Sequence, residues 1–198
     1  MNAAVDVRQH ILEVAHPLFL RKGFTAVGLA EVLTAAQVPK GSFYHYFGSK
    51  EAFGEAVLEA YFADHLAHID ELLSRPQPAA RRLLAYFHDW LDSQTGDEAQ
   101  SRCLAVKLGA EVCDLSESMR SSLARGTRGV TDRLARCIEA GRQDGSLALA
   151  PRDAQSTALE LYQSWLGASL LAKIARDRAP LDTAMAGTRR LLGISSDP

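Results

Sequence analysis

This chain is poor in sulfur, nearly balanced in charge and free of long apolar runs, and each shortage removes a class of explanation. Only three of its 198 residues are cysteine: Cys103, Cys113 and Cys137. A low, odd number does not build a disulfide framework. With no CxxC pair and no cluster of cysteine with histidine, a zinc site is not expected, which leaves reduced thiols. No stretch approaches the roughly 20 apolar residues that cross a bilayer. The opening residues, MNAAVDVRQHIL, have no basic segment followed by an apolar one. That argues against a secretory leader and for a cytoplasmic location. A Gly-rich phosphate loop, a metal motif and a Cys/His pair at a recognisable spacing are all missing. The sequence therefore implies no cofactor and gives an enzyme no support. Strand-type alternation, internal repeats and low-complexity tracts are missing too.

Net charge is −2, which by itself speaks weakly against nucleic acid as a partner. The distribution says more. Between residues 21 and 50, Arg21, Lys22, Lys40 and Lys50 face Glu31 alone, a local excess of three positive charges, and the remainder is acidic. One small basic face on an acidic body suits a protein that presents a single surface to DNA.

Apolar residues recur at helical spacing throughout, so the expected fold is all-α. Val7, Ile11, Val14, Leu18 and Phe19 line a first helix that stops at Lys22-Gly23, with Pro17 inside it as a bend. Leu29, Val32 and Leu33 mark a short second helix, Gln37-Val38-Pro39 a turn, and Lys40 to Phe47 a third helix. Ser49 caps a fourth, from Lys50 to about Ser74. After a loop through Pro78, a fifth runs from about Ala79 to Leu91, and the polar stretch Ser93 to Gln100 is a loop. Helices over Cys103 to Val112 and Ser116 to Gln143 follow. An eighth has Pro151 in its first turn and reaches about Ala175; a ninth runs from Pro180 to near Leu192-Gly193.

Two short helices joined by a tight turn and backed by a third make a helix-turn-helix, whose second helix enters the major groove of DNA. Phe43 and Phe47 are four apart and should pack inward against Val38, Leu33 and Leu29. Lys40, Ser42, Tyr44 and His45 then point outward. Lys40 brings charge, Gly41 lets the backbone approach a duplex, and Tyr44 and His45 offer flat polar groups to phosphates or base edges. Lys50 opens the fourth helix, where a cation and free N–H groups suit a phosphate. The bland alternative is that these aromatics are ordinary core.

Residues 8 to 58 resemble the N-terminal domain of TetR-type repressors. The resemblance lies in a helix ending Arg-Lys-Gly-Phe, then Thr25, Leu-Ala-Glu-Val-Leu, Val-Pro-Lys-Gly-Ser-Phe-Tyr-His-Tyr-Phe and Ser-Lys-Glu-Ala-Phe. It implies a nine-helix TetR-like repressor, with a three-helix DNA-binding domain over residues 1–48 and a helical sensing and dimerisation domain over 49–198. It implies DNA contacts at Thr25, Lys40, Gly41, Ser42, Tyr44, His45 and Lys50. Val27-Gly28 stands where many members carry a second threonine, and Pro17 is unusual. Further along, Cys103-Leu-Ala-Val-Lys-Leu108, Ala110-Glu-Val-Cys-Asp-Leu-Ser-Glu117, Met119-Arg-Ser121, the Arg-Gly-Val at 128 to 130, Trp165-Leu-Gly-Ala168 and Ala172-Lys-Ile174 are similar to a member of that family that answers reactive electrophiles and oxidants. That likeness implies control of detoxifying reductases and glyoxalase-type enzymes, a sensor cysteine at Cys103 and a lysine that engages it at Lys173. Cys113 is matched as well; Cys137 has no counterpart.

The thiol chemistry is reasonable on its own footing. A thiolate is the reactive form, and an ammonium or free backbone N–H groups at a helix start favour it. Cys113 and Cys137 are read as core. Tyr61, His65, Tyr86, Trp90 and Trp165 either line a cavity or are simply packed. The stripe Ala158, Leu161, Tyr162, Trp165, Leu166, Ser169, Leu170 and Ile174, with Met185, Leu191 and Leu192, either buries within one subunit or meets a second copy. The resemblance implies a homodimer that reads a pseudo-palindromic double-stranded operator. Three readings are thereby set against one another: a covalent electrophile-sensing repressor, a repressor induced by an unreactive small molecule, and an enzyme.

Overall fold

The computed structural model describes residues 7–95, 103–148 and 153–194, and every regular element among them is a helix. The order is α1 (Val7–Lys22), α2 (Leu29–Ala36), α3 (Lys40–Phe47), α4 (Lys50–Leu73), α5 (Ala79–Thr95), α6 (Leu104–Val112), α7 (Glu117–Gln143), α8 (Ala154–Ala175) and α9 (Ala179–Leu191).

Local chemistry explains most of the boundaries. Gly23 ends α1 at φ 87°, and its N–H returns to the Phe19 carbonyl at 2.9 Å. Pro17 lies within α1 without ending it. Gln37 adopts the left-handed conformation, and Val38 N–H closes on the Leu33 carbonyl, making the tight turn into α3. The Ser49 hydroxyl accepts the Ala52 N–H at 3.1 Å, the expected cap of α4. Two expectations shift. The fifth helix runs four residues past Leu91, to Thr95, where the Ser93 and Thr95 hydroxyls turn back onto the carbonyls of Trp90 and Leu91. The eighth is capped by Asp153, whose carboxylate accepts the Ser156 N–H at 2.8 Å; Pro151 lies outside the described residues.

Packing sorts the described residues into two units: those of Met1–Asp64 with Gln100–Gly126, and those of His65–Ala99 with Thr127–Pro198. This departs from the division expected after residue 48, because α6 and the start of α7 pack with the N-terminal helices. The core of the first unit gathers Ile11, Phe19, Phe43, Phe53, Leu58, Leu104, Leu108 and Met119, each almost wholly enclosed. Phe43 sits 5.1 Å from Phe53 and 5.2 Å from Phe47, ring centre to ring centre. Burying each such side chain stabilises the fold by roughly 1.5–3 kcal/mol. Gly54 makes the packing of α4 possible: a methyl there would run into the Phe24 ring and the Met119 sulfur.

The second unit has its own core, centred on Trp165, which stacks on Phe87 at 5.2 Å and donates from Nε1 to the Thr188 hydroxyl at 2.8 Å. Trp90 lies 5.6 Å from Trp165 and donates to the Ser169 hydroxyl at 3.0 Å. This corrects the expected partner-facing stripe. Leu161, Tyr162, Trp165 and Ser169 point inward, held by core packing and, for Trp165 and Ser169, by hydrogen bonds that use their polar atoms. Of the expected set, Leu170 is exposed and Leu166 and Leu191 are half-buried. The apolar row left outward on α8 is Leu159, Leu166, Leu170 and Ile174, with Leu171 beside it; Ile174 is 70% exposed.

Candidate nucleic-acid interface and thiol site

The helix α3 is two-faced because its eight residues carry phenylalanine at two positions one turn apart. Phe43 and Phe47 are buried, which turns Lys40, Gly41, Tyr44 and His45 outward, with Ser42 half-buried. The Lys40 ammonium lies 5.8 Å from the centre of the Tyr44 ring. A Cβ at Gly41 would meet nothing within 4 Å, so the backbone there is open to a close approach. Two residues were not foreseen. Tyr46 is 38% exposed and touches His45 edge to face at 5.0 Å, and Arg8 of α1 lies over the Phe47 ring at 5.6 Å. Tyr46 falls on the shoulder of the Phe43/Phe47 face, a position that helical spacing leaves ambiguous.

The basic patch is smaller than composition suggests. Lys22 pairs with Glu31 at 2.6 Å, leaving Arg21, Lys40 and Lys50 to carry the excess. Thr25 and Lys50, far apart in sequence, are brought together: the Lys50 ammonium donates to the Thr25 carbonyl at 3.4 Å and sits 4.8 Å from the centre of the Phe24 ring. The Thr25 N–H donates to Glu111 Oε1 at 2.6 Å and the Phe24 N–H to Glu111 Oε2 at 3.1 Å. Glu111 lies in the Ala110 to Glu117 stretch that carries the resemblance, but the sequence gives it no role.

Cys103 occupies the cap position of α6 and is 8% exposed. Burial pushes its thiol pKa up, so the resting group is protonated. The backbone at Val106, the Tyr61 side chain and the backbone at Ala105 hydrogen-bond to the sulfur and pull the other way. Tyr61 in turn lies against His16, ring centres 5.6 Å apart, and His16 is held neutral by its burial, with Asp64 opposing. Lys173 stands exposed on the last turn of α8, in the second unit. Cys137 is buried as expected, its thiol pushed up to about 11 by burial. Cys113 is not core. It follows Val112, the end of the buried row Leu104, Leu108 and Val112, and so turns to solvent.

Of the five residues that either line a cavity or pack, three are packed. Tyr86, Trp90 and Trp165 interlock with Phe87 and Tyr162 as packed core. Tyr61 and His65 are half-buried. A cavity of about 490 Å³ lies between α8 and α9, and one of about 250 Å³ beside Arg82, Arg133 and Cys137; these two are lined by residues other than those five. No group of three metal-ligating side chains occurs among the described residues.

Residues 11–57 match the family described as bacterial regulatory proteins, tetR family, and residues 79–188 the one described as tetracyclin repressor-like, C-terminal domain. The chain is 45% identical over 188 residues to the HTH-type transcriptional repressor NemR of Escherichia coli (strain K12), covering 94% of each. It is 37% identical over 183 residues to the HTH-type transcriptional repressor DhaR of Mycobacterium sp. (strain GP1), covering 91% of this chain and 89% of that one. The crystal structure of the reduced form of E. coli NemR superposes with a TM-score of 0.91 at 44% identity, covering 97% of this chain and all of the other.

Proposed function

This chain belongs to the TetR family of bacterial regulatory proteins, and we propose that it is a repressor released from its operator when a reactive electrophile or oxidant modifies Cys103. It is a DNA-binding transcriptional repressor, not an enzyme, and it acts as a dimer. The observation that carries the sensing reading is the setting of Cys103. The thiol is shielded and protonated at rest, yet it stands at a helix start among donors that stabilise the thiolate once formed. An activated alkene such as a quinone or maleimide would take the sulfur at its β-carbon, forming a C–S bond, while the proton from the thiol ends on the α-carbon. An oxidant would instead carry the sulfur to sulfenic acid, which condenses with a nitrogen or a second thiol and loses water. The resemblance implies that Lys173 engages the sensor cysteine; if it does, Lys173→Ala should weaken release by an oxidant, and an unchanged release would remove Lys173 from the reading.

On DNA, Lys40, Gly41, Ser42, Tyr44 and His45 would meet the major groove, with Thr25 and Lys50 on flanking phosphates. The second copy would sit on the outward row Leu159, Leu166, Leu170 and Ile174. A gel-shift on the DNA upstream of the coding sequence tests the whole reading. Wild type should bind and should release after N-ethylmaleimide, whereas Cys103→Ser should bind and stay bound. If Cys103→Ser still releases after N-ethylmaleimide, another thiol such as the exposed Cys113 carries the response and the Cys103 reading fails; release by an unreactive small molecule with all three thiols unmodified would mark the alternative inducer.

A further inference from the structure

We propose that Glu111 is the positioning residue that couples the sensor helix to the DNA-reading head, holding the lead-in to α2 from the far end of the helix that Cys103 begins. The inference deepens the repressor reading and rests on it. Glu111 lies eight residues beyond Cys103 on one short helix, about 12 Å along its axis at 1.5 Å per residue. Its two oxygens are divided between neighbouring amides across 86 and 87 residues of sequence: Oε1 accepts from Thr25 and Oε2 from Phe24. The Thr25 side chain hydrogen-bonds to the same carboxylate. These amides belong to the turn between α1 and α2, outside any helical ladder, and consecutive backbone donors of this kind make a seat for an anion.

The turn is shaped around the carboxylate. Gly23 precedes it at φ 87°, and a Cβ there would stand 2.6 Å from Glu111 Oε2. A side chain at that position would therefore meet both backbone strain and the carboxylate. Lys50 grips the opposite side of the turn through the Thr25 carbonyl and the Phe24 ring. The buried row of α6, Leu104, Leu108 and Val112, packs in the same core as Phe43. Any tilt of α6 imposed at Cys103 is thus delivered, through Glu111, to Thr25 and to the start of the helix-turn-helix. Burial alone would raise the Glu111 carboxyl. The Thr25 and Phe24 hydrogen bonds and the Lys107 charge outweigh it and hold the group below the ordinary carboxylate range. It is therefore charged at neutral pH, where its hydrogen bonds are strongest.

The test uses full-length Glu111→Gln and Gly23→Ala. Glutamine keeps the volume but sets an NH2 against one of the two backbone donors. Gly23→Ala leaves Glu111 in place and crowds its carboxylate with a methyl. Affinity for a duplex of the upstream DNA is read by fluorescence anisotropy with and without N-ethylmaleimide, and exchange of the Phe24 and Thr25 amides by NMR. For both variants we expect untreated affinity to fall about 10-fold, the scale of one charge-assisted hydrogen bond. Exchange at Phe24 and Thr25 should quicken while α1 core amides stay protected, and the ratio of untreated to treated affinity should shrink toward one. Wild-type exchange at Phe24 and Thr25, or an unchanged affinity and ratio, overturns the proposal, as does a loss of protection throughout α1, which would mean a folding role only. If wild type itself ignores N-ethylmaleimide, the Cys103 reading fails, and the exchange rates and untreated affinities still decide the role of Glu111.

Discussion

At His65, burial and the neighbouring His68 act in the same direction. Its pKa is lowered to about 4, first by burial and then by His68, with Asp89 opposing. A folded pKa below the unfolded value of about 6.5 means that the unfolded chain binds the extra proton between those two values. Stability is therefore present above about pH 6.5 and is lost as pH falls toward 4, by roughly 1–3 kcal/mol once solvent access is allowed for. Urea midpoints measured from pH 7 to pH 4 should show this slope, and His65→Gln should flatten it. Single residues are also where sequence reading was weakest. Phe43 and Phe47 were placed correctly because they are one turn apart and have no competing face. Residue type alone places Cys113 in the core, since cysteine is usually buried; one step beyond a buried i, i+4 row turns it out. The role of Glu111 is not legible from the sequence, since its partners are backbone amides more than eighty residues away.

Among the elements, α8 shows how periodicity can find a helix and still miss its facing. The residues chosen from the sequence are apolar and evenly spaced, but α8 has two such rows. One contains Leu161 and Trp165 and is locked inside by hydrogen bonds from Trp90 to Ser169 and from Trp165 to Thr188. The other, with Leu170 and Ile174, faces out. Hydrophobicity alone does not rank two apolar rows on one helix; the hydroxyls that complement the two indoles do. The rows predict opposite phenotypes. Leu170→Lys with Ile174→Lys should yield a folded monomer by light scattering, with operator binding lost and the melting temperature of the isolated subunit little changed. Trp165→Ala should instead cost about 3–5 kcal/mol of stability in a denaturant titration. Elements with strong local punctuation were legible to within a residue or two: α1 at Gly23, α4 at Ser49 and α3 between Pro39 and Gly48. Apolar spacing ends the fifth helix too early because its last turn is polar, and the hydroxyls there fold back onto their own helix.

At the scale of the whole molecule, the all-helical class and the order of its helices followed from apolar spacing and turn residues. The grouping of those helices did not. Chain order suggests a head over residues 1–48 and a body behind it, whereas packing puts α6 with the head. The sulfur atoms are distributed unequally through this arrangement: Cys103 and Cys137 are enclosed and Cys113 is open to solvent. An alkylating reagent at low dose therefore meets the accessible thiol first. Intact-mass spectra should gain one adduct, on Cys113, before operator binding begins to fall, and release should track only the later adduct on Cys103. Simultaneous labelling of both would contradict this order. Total thiol loss would then overstate release, because the first sulfur consumed lies on the solvent side of α6 and not in its core.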